Sequence, residues 1–164
     1  MRKACVTLGA VMCVFVSACS ERKGITDDEA LLGPGVAEQA ITLAYSGKMD
    51  EAVALLLEGA APESGAVEPL PFLTMSESEF IRVKEPAFSQ MKEANIRASD
   101  AARALARAAL AKAAEARAQG DEAKAAAYAQ RVKALGTLLA GEDRNKLLQL
   151  VGRAIEKTAG EAGS

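Results

Sequence analysis

The chain has 164 residues, and its 20 basic residues against 22 acidic residues give a formal net charge of −2. This nearly even balance of charge gives no reason to expect binding to nucleic acid, whose backbone attracts strongly basic surfaces. The chain has no histidine, which removes the commonest general base and the commonest transition-metal ligand. Because no phosphate-binding loop, dinucleotide fingerprint or nucleophile elbow occurs either, we predict no catalysis, no metal and no cofactor.

The first eighteen residues have the organisation of an export signal. Arg2 and Lys3 supply a positive charge at the start, and an uncharged, mostly apolar run follows over residues 4–16. This run is too short for a membrane-spanning helix, which needs about 20 apolar residues. We therefore predict that residues 1–18 are a signal peptide that is removed. The remaining 146 residues are enough for one domain, or for a domain with an appendage.

The end of this segment, Val16-Ser17-Ala18-Cys19, resembles the lipobox of bacterial lipoproteins, in which an aliphatic residue and two small residues precede a cysteine. The resemblance implies that the Cys19 thiol takes a diacylglyceryl group and that the chain is cut just before it. Two or three acyl chains, at about 0.8 kcal/mol per buried methylene, hold a protein stably on a membrane. In a Gram-negative host, Ser20 after the cysteine implies the periplasmic face of the outer membrane. Ordinary secretion is the alternative, since the same small residues suit a standard signal peptidase.

A short tether and a short helix are predicted to follow the anchor. The other two cysteines leave with the signal peptide, so Cys19 cannot form an intramolecular disulfide. Residues 19–25 are predicted to be the lipidated tether. Thr26 and Glu29 fit a capping box that opens a helix. That helix must be short, because Gly33-Pro34-Gly35 ends it.

Two further helices are predicted over residues 36–46 and 49–58. Gly47 fits a left-handed stop after the first of them, and Gly59 ends the second. Helices joined by so short a turn must pack antiparallel.

The turn between these helices, from Ala44 to Ala52, is similar to the centre of a tetratricopeptide (TPR) repeat. In that family a glycine ends the first helix and an Asp-Glu-Ala run opens the second, as in this sequence. The resemblance implies that residues 26–60 form a TPR-like hairpin, with Gly47 allowing the tight turn and Ala52 allowing close contact between helices. A generic helical hairpin is the alternative, since no tryptophan opens the unit.

Residues 61–75 are rich in proline, glycine and glutamate and are predicted to be a linker. The linker should be extended from Pro69 to Phe72, since each proline disfavours helix before it. Ser76 to Glu79 offers a second capping box. Beyond it, Pro86 either starts a new helix or kinks one that is already running.

A long alanine-rich helix is predicted over residues 87–119. Alanine occupies 16 of the 29 positions from Ala101 to Ala129. Such a helix forms readily but buries little apolar area per residue, so it must lie close against its neighbours. Large apolar residues are not sustained at coiled-coil spacing, which argues against a coiled coil.

Another helix follows Gly120, and Gly141 ends it. The step from Gly120 to Ala125 repeats the step from Gly47 to Ala52, which predicts a second, weaker TPR-like hairpin. The apolar stripe of this helix is predicted to contain Ala125, Tyr128, Val132, Leu135 and Leu139.

A last helix is predicted over residues 143–158, followed by a tail that includes residues 161–164. Its predicted stripe is Leu147, Val151, Ala154 and Ile155. The whole region from 76 to 160 is thus predicted to be a helical hairpin or bundle. The two mature tyrosines, Tyr45 and Tyr128, are assigned to packing, and Glu93 with Arg97 to a solvated face.

These features predict an all-α protein of TPR-like helical hairpins with a long alanine-rich helix. Helical hairpins stack to form extended binding surfaces, and an array usually needs at least three repeats. With two hairpins at most, the chain would complete its core with the long helix, by self-association or by binding a protein. We therefore expect a lipid-anchored interaction module, an adapter or assembly factor in the cell envelope. The alternatives are a structural envelope lipoprotein, a carboxylate-only enzyme and a carrier of small amphiphiles.

Overall fold

The computed structural model of the protein describes residues 31–33, 35–63, 65 and 67–162. All regular structure within these residues is helical, which confirms the predicted all-α class. The predicted signal peptide, lipobox, tether and capping box at Thr26 lie outside the described residues. The six fully described α-helices are α1 (Val36–Tyr45), α2 (Met49–Glu58), α3 (Glu77–Phe80), α4 (Ala87–Ala118), α5 (Glu122–Ala140) and α6 (Lys146–Ala162), and a 3₁₀ turn covers Pro71–Leu73.

The turn from α1 to α2 and the turn from α4 to α5 have the same backbone structure. Gly47 and Gly120 each have a φ of +82°. The next N–H, of Lys48 or Asp121, donates to the carbonyl oxygen five residues earlier, at 2.9 Å and 3.0 Å. The glycine N–H donates three residues back in both turns, at 3.1 Å and 2.9 Å. This is the Schellman pattern, which satisfies the last carbonyl groups of a helix. The predicted repetition of the turn is therefore confirmed, bond by bond.

The TPR-like arrangement itself is not confirmed. The two turns lie more than two TPR periods of about 34 residues apart. Between α2 and α4, the described residues contain only the 3₁₀ turn and the four-residue helix α3. The capping box that starts α3 is as predicted, since Ser76 and Glu79 bond each other's backbone N–H groups. Pro86 precedes the first residue of α4, so it starts a new helix rather than kinking an old one.

Helix α4 is the centre of the bundle and packs against α1, α2, α5 and α6. Its buried face is mostly alanine, so the neighbouring helices can approach closely. Most of the large core side chains come from those neighbours. The fully buried large apolar residues are Ile41, Leu43, Leu56, Leu73, Leu105, Val132, Leu135, Leu139, Leu148 and Val151.

Helices α5 and α6 approach each other closely where Gly136 faces Gly152. A Cβ atom added to Gly152 would lie 2.5 Å from the Gly136 carbonyl oxygen and 2.7 Å from the Leu139 carbonyl carbon. One added to Gly136 would lie 2.7 Å from the Glu156 backbone nitrogen. Real Cβ atoms do not approach backbone atoms so closely, so both positions require glycine. This contact was not predicted from the sequence.

The linker and the last helix differ from the prediction in detail. The chain is extended at Leu70, but Pro71 then begins a 3₁₀ turn, because its fixed φ suits the first helical position.

The last helix begins at Lys146 rather than near residue 143, because Asn145 caps it: its side-chain oxygen accepts from the Leu148 N–H at 3.2 Å. The same helix continues to Ala162, beyond the predicted end.

The buried stripe of α6 is also shifted from the predicted one. Val151 and Ile155 are buried as expected, but Leu147 is only half-buried and Ala154 is exposed. The Gly136–Gly152 contact sets this rotation of the helix, since it turns the side that carries Gly152 toward α5. Leu148 and Ala159 complete the stripe.

Buried and largely buried polar side chains join α1, the 3₁₀ turn and α4 to the loop before α6. The Arg144 guanidinium pairs with Glu38 at 2.6 Å, both side chains are 12% exposed, and the guanidinium also donates to the Leu73 carbonyl oxygen. The Asn95 amide donates to the Asn145 side-chain oxygen at 3.0 Å. These contacts fix α1 and the 3₁₀ turn against the loop before α6. We assign them a structural role, because breaking a buried pair strands a charge at large cost.

Candidate functional site: a groove between α2, α4 and α5

A groove of about 250 Å³ opens where α2 crosses α4 and α5. Its floor is apolar, and acidic and basic side chains stand at its rim. Ligand pockets usually measure about 300–1,000 Å³. The groove is therefore too small to enclose a small molecule, but it is large enough to accept one or two side chains of a partner. Its lining residues are Met49, Asp50, Val53, Ala54, Leu57, Glu58, Ala108, Lys112 and Tyr128.

The charges at the rim are divided between the two sides of the groove. Helix α2 contributes Asp50 and Glu58, whereas α4 contributes Lys112. On α5, the Lys124 ammonium lies 5.4 Å from the centre of the Tyr128 ring. The α2 wall is thus acidic, whereas the α4 wall carries Lys112 in an ion pair with Glu115 at 2.8 Å. Such a division can orient an occupant with the reverse arrangement of charges.

Tyr128 fixes the end of the groove. Its hydroxyl donates to Glu58 Oε1 at 2.7 Å and so links α5 to α2. Burial raises the pKa of Tyr128, and the bond to Glu58 raises it further. The hydroxyl therefore stays protonated at neutral pH and serves as a hydrogen-bond donor rather than as a base. Arg131 adds a second link by donating to the Leu56 carbonyl oxygen at 3.2 Å.

The turn residues singled out in the sequence position the groove without lining it. Gly47 and Ala52 direct the start of α2, while Gly120 and Ala125 direct the start of α5. Ala52 and Ala125 are 0% and 1% exposed, as expected for sites of close helix contact. The structure thus places both turns at helices that meet in the groove. The predicted lipidation site Cys19 and the lipobox residues Val16, Ser17 and Ala18 lie outside the described residues.

Both tyrosines pack against neighbouring residues, and each also makes a polar or cation–π contact. Tyr128 is 8% exposed within the predicted stripe, and it also lines the groove. Tyr45 is half-buried, and the Arg97 guanidinium carbon lies 5.4 Å from the centre of its ring. Arg97 is itself exposed, in agreement with its assignment to a solvated face.

The groove was not predicted because it depends on how α2 crosses α4. Val53 lies among the apolar residues of its helix, but a periodic pattern does not show which apolar residues remain half-buried. On α4, Lys112 interrupts a run of small and apolar residues from Ala108 to Ala114, which was the available signal.

Among the described residues there is neither a group of side chains that could hold a metal ion nor a helix that could span a membrane. No group of three or more acidic or cysteine side chains there is arranged to hold a metal ion. No described helix is both long enough and apolar enough to cross a bilayer.

Comparison of the chain with protein-family models, with curated proteins and with solved structures finds no match.

Proposed function

We propose that the protein is a lipid-anchored helical interaction module on the periplasmic face of the outer membrane of a Gram-negative host. In this proposal it acts as an adapter or assembly factor, without catalysis, and the groove between α2, α4 and α5 binds a segment of an envelope protein. The observation that carries the proposal is the groove itself, which has an apolar floor and a rim that carries Asp50, Glu58 and Lys112. The anchor is proposed from the lipobox resemblance at Cys19.

The groove indicates the chemistry of the segment that it would bind. A volume of about 250 Å³ suits one or two large apolar side chains, the kind of anchor that dominates binding energy in protein interfaces. The rim suits a helix with basic residues toward Asp50 and Glu58 and acidic residues toward Lys112. An amphipathic helix presents such rows at a spacing of three or four residues.

Charge reversal at the rim tests the groove. We expect Lys112→Glu to lower recovery of bound envelope proteins about fivefold in a pull-down from detergent-solubilised envelope, roughly 1 kcal/mol of affinity. The matched control is Lys133→Glu, which makes the same change at an exposed position of α5 outside the groove. Both variants should keep the helical circular dichroism spectrum of the parent. Equal recovery with Lys112→Glu and Lys133→Glu would remove the groove from the proposal.

The anchor has a separate test. Mass spectrometry of the mature N-terminal peptide should show a diacylated or triacylated Cys19. A Cys19→Ala variant that stays bound to membranes would contradict lipidation at this residue.

A further inference from the structure

A second surface, on the side of the bundle where α4 and α6 lie together, has a different character. The two helices run side by side in the same direction. Asn95, in the third turn of α4, donates to Asn145 just before α6, and Arg117 donates to the Ala162 carbonyl oxygen near the last turns of both helices, at 3.0 Å in each case. The α4/α6 face, as we define it, includes five exposed cationic residues, which are Arg103 and Arg107 on α4 and Lys146, Arg153 and Lys157 on α6.

The α4/α6 face is basic although the protein is not. Three carboxylates accompany its five cationic residues: Asp100, 3.3 Å from Arg103, Glu161, 4.0 Å from Lys157, and Glu77, which accepts from the Lys146 backbone N–H at 2.8 Å. The rest of the described chain has 11 cationic residues against 15 acidic residues. Positive charge is therefore concentrated on one side of a mildly acidic molecule, which favours an anionic occupant.

Apolar groups are interleaved with these charges. Between the helices lies a groove of about 210 Å³, where Ala106, Leu110 and Ile155 contribute apolar walls beside Arg103 and Arg107. One turn before Ala154, which also lines the groove, Leu150 projects into solvent with 61% of its surface exposed. A protruding leucine among rows of cationic side chains is the combination that membrane-surface helices use.

The α4/α6 face begins near the first turn of α1. Glu38, in that turn, pairs with Arg144 at 2.6 Å. Arg144 lies two residues before Lys146, the first cationic residue of the α6 row. Glu38, 19 residues after Cys19 in the sequence, therefore lies near one end of this face.

From these observations we infer that the α4/α6 face binds anionic phospholipid at the surface of the membrane that holds the anchor. Arg103 and Arg107 pair with lipid phosphate, while Leu150 enters the boundary between head groups and acyl chains. The inference rests on the proposed function only for the location of the protein beside a membrane. It adds an orientation, in which the α4/α6 face meets the lipid and the groove between α2, α4 and α5 remains available to a protein partner.

The chain contains no tryptophan, so a single introduced tryptophan reports on one site alone. The probe is Leu150→Trp, in protein purified from membranes with its anchor and mixed with vesicles. The vesicles contain phosphatidylcholine alone or phosphatidylcholine with phosphatidylglycerol, each with brominated acyl chains as quenchers. We expect tryptophan emission to move to shorter wavelength, and its quenching to be at least about threefold stronger, in the anionic vesicles only. Adding Arg103→Glu and Arg107→Glu to the probe variant should abolish the difference.

Ile81→Trp is the matched control, because Ile81 is 62% exposed but lies outside the α4/α6 face. Its emission should not depend on phosphatidylglycerol. Equal quenching of the Leu150→Trp protein in both vesicle types would overturn the inference, and so would equal quenching at the control position. A wavelength shift with polyglutamate or an oligonucleotide, but not with anionic vesicles, would assign the face to an acidic macromolecule and also overturn it.

Vesicle flotation of the same samples separates this inference from the anchor. Flotation with both vesicle types, without an effect of phosphatidylglycerol on quenching, keeps the anchor and rejects the lipid-binding face. Flotation with anionic vesicles alone keeps the face and rejects the anchor. Flotation with neither rejects both.

Discussion

The α1/α2 hairpin and the α4/α5 hairpin share a turn but are filled by different side chains. In the first, ten-residue helices bury Ile41, Leu43 and Leu56 completely. In the second, the 32-residue helix α4 buries mostly small side chains such as Ala109, while the 19-residue helix α5 buries the larger Val132 and Leu135. Identical turn bonds therefore join two different kinds of interface. The turn is a local property of a glycine after a helix, whereas the interface is set by side-chain size along both helices.

The difference also explains the lengths of the helices. Apolar burial stabilises by roughly 25 cal/mol per Å², so each buried alanine contributes much less than each buried leucine. The short hairpin buries large side chains from both of its helices. In the long one, α4 contributes mostly small side chains and packs against four other helices over its 32 residues.

The largest expected effect comes where close packing of small residues continues from α5 to α6. Gly152→Ala should lower the free energy of unfolding by about 3 kcal/mol, at the upper end for overpacking, because the new methyl group meets backbone that cannot rotate away. Urea denaturation measures the change. The control is Gly160→Ala in the same helix, where an added Cβ meets nothing within 4 Å. We expect this control to stabilise by up to about 1 kcal/mol, through helix propensity alone. Equal effects of the two changes would show that α5 and α6 are not in backbone contact.

A smaller effect is expected on the buried, alanine-rich face of α4. Ala109 is 0% exposed on the packed face of α4, so Ala109→Leu should cost about 2 kcal/mol of unfolding free energy by forcing the helices apart. Ala114→Leu makes the same change at an exposed position of α4 and should be nearly neutral. Thermal and urea denaturation of both variants provide the comparison. A tolerated leucine at position 109 would mean that the alanine interface is loosely packed, contrary to the contrast with the first hairpin.

Local signals in the sequence predicted the elements well. Gly47 and Gly120 marked two turns correctly, Ser76 and Glu79 marked a real capping box, and the apolar stripe of α5 is buried as expected. Each of these features depends on residues within about one or two helical turns. The start of α6 was predicted near residue 143 and lies at Lys146, because Asn145 supplies the cap.

Features that depend on how helices cross were not predictable in the same way. Gly136 and Gly152 are 16 residues apart and make sense only once α5 and α6 are placed together. Their positions inside helices did indicate a special role, because glycine destabilises a helix interior and is unusual there without a packing reason. The groove combines Val53, Lys112 and Tyr128 from three helices, and no local pattern pairs them. The α4/α6 face likewise depends on the packing of α4 beside α6, which brings the cationic residues of the two helices to one side of the bundle.

The smallest effect we predict tests the equivalence of the two turns directly. An added Cβ at Gly47 or Gly120 meets nothing within 4 Å, so a substitution there is strained by the positive φ and not by a neighbour. A β-branched residue is disfavoured in that conformation, and we expect Gly47→Val and Gly120→Val each to cost at least about 1 kcal/mol. Because φ is +82° in both turns, the two costs should agree within about 0.5 kcal/mol, although the interfaces beyond the turns differ. Urea denaturation of the two variants and of the double variant measures this, and the double variant should show nearly additive costs. An unchanged melting temperature for Gly47→Val would remove the left-handed turn there, and a much larger cost at one glycine than at the other would show that the interfaces strain the turns differently.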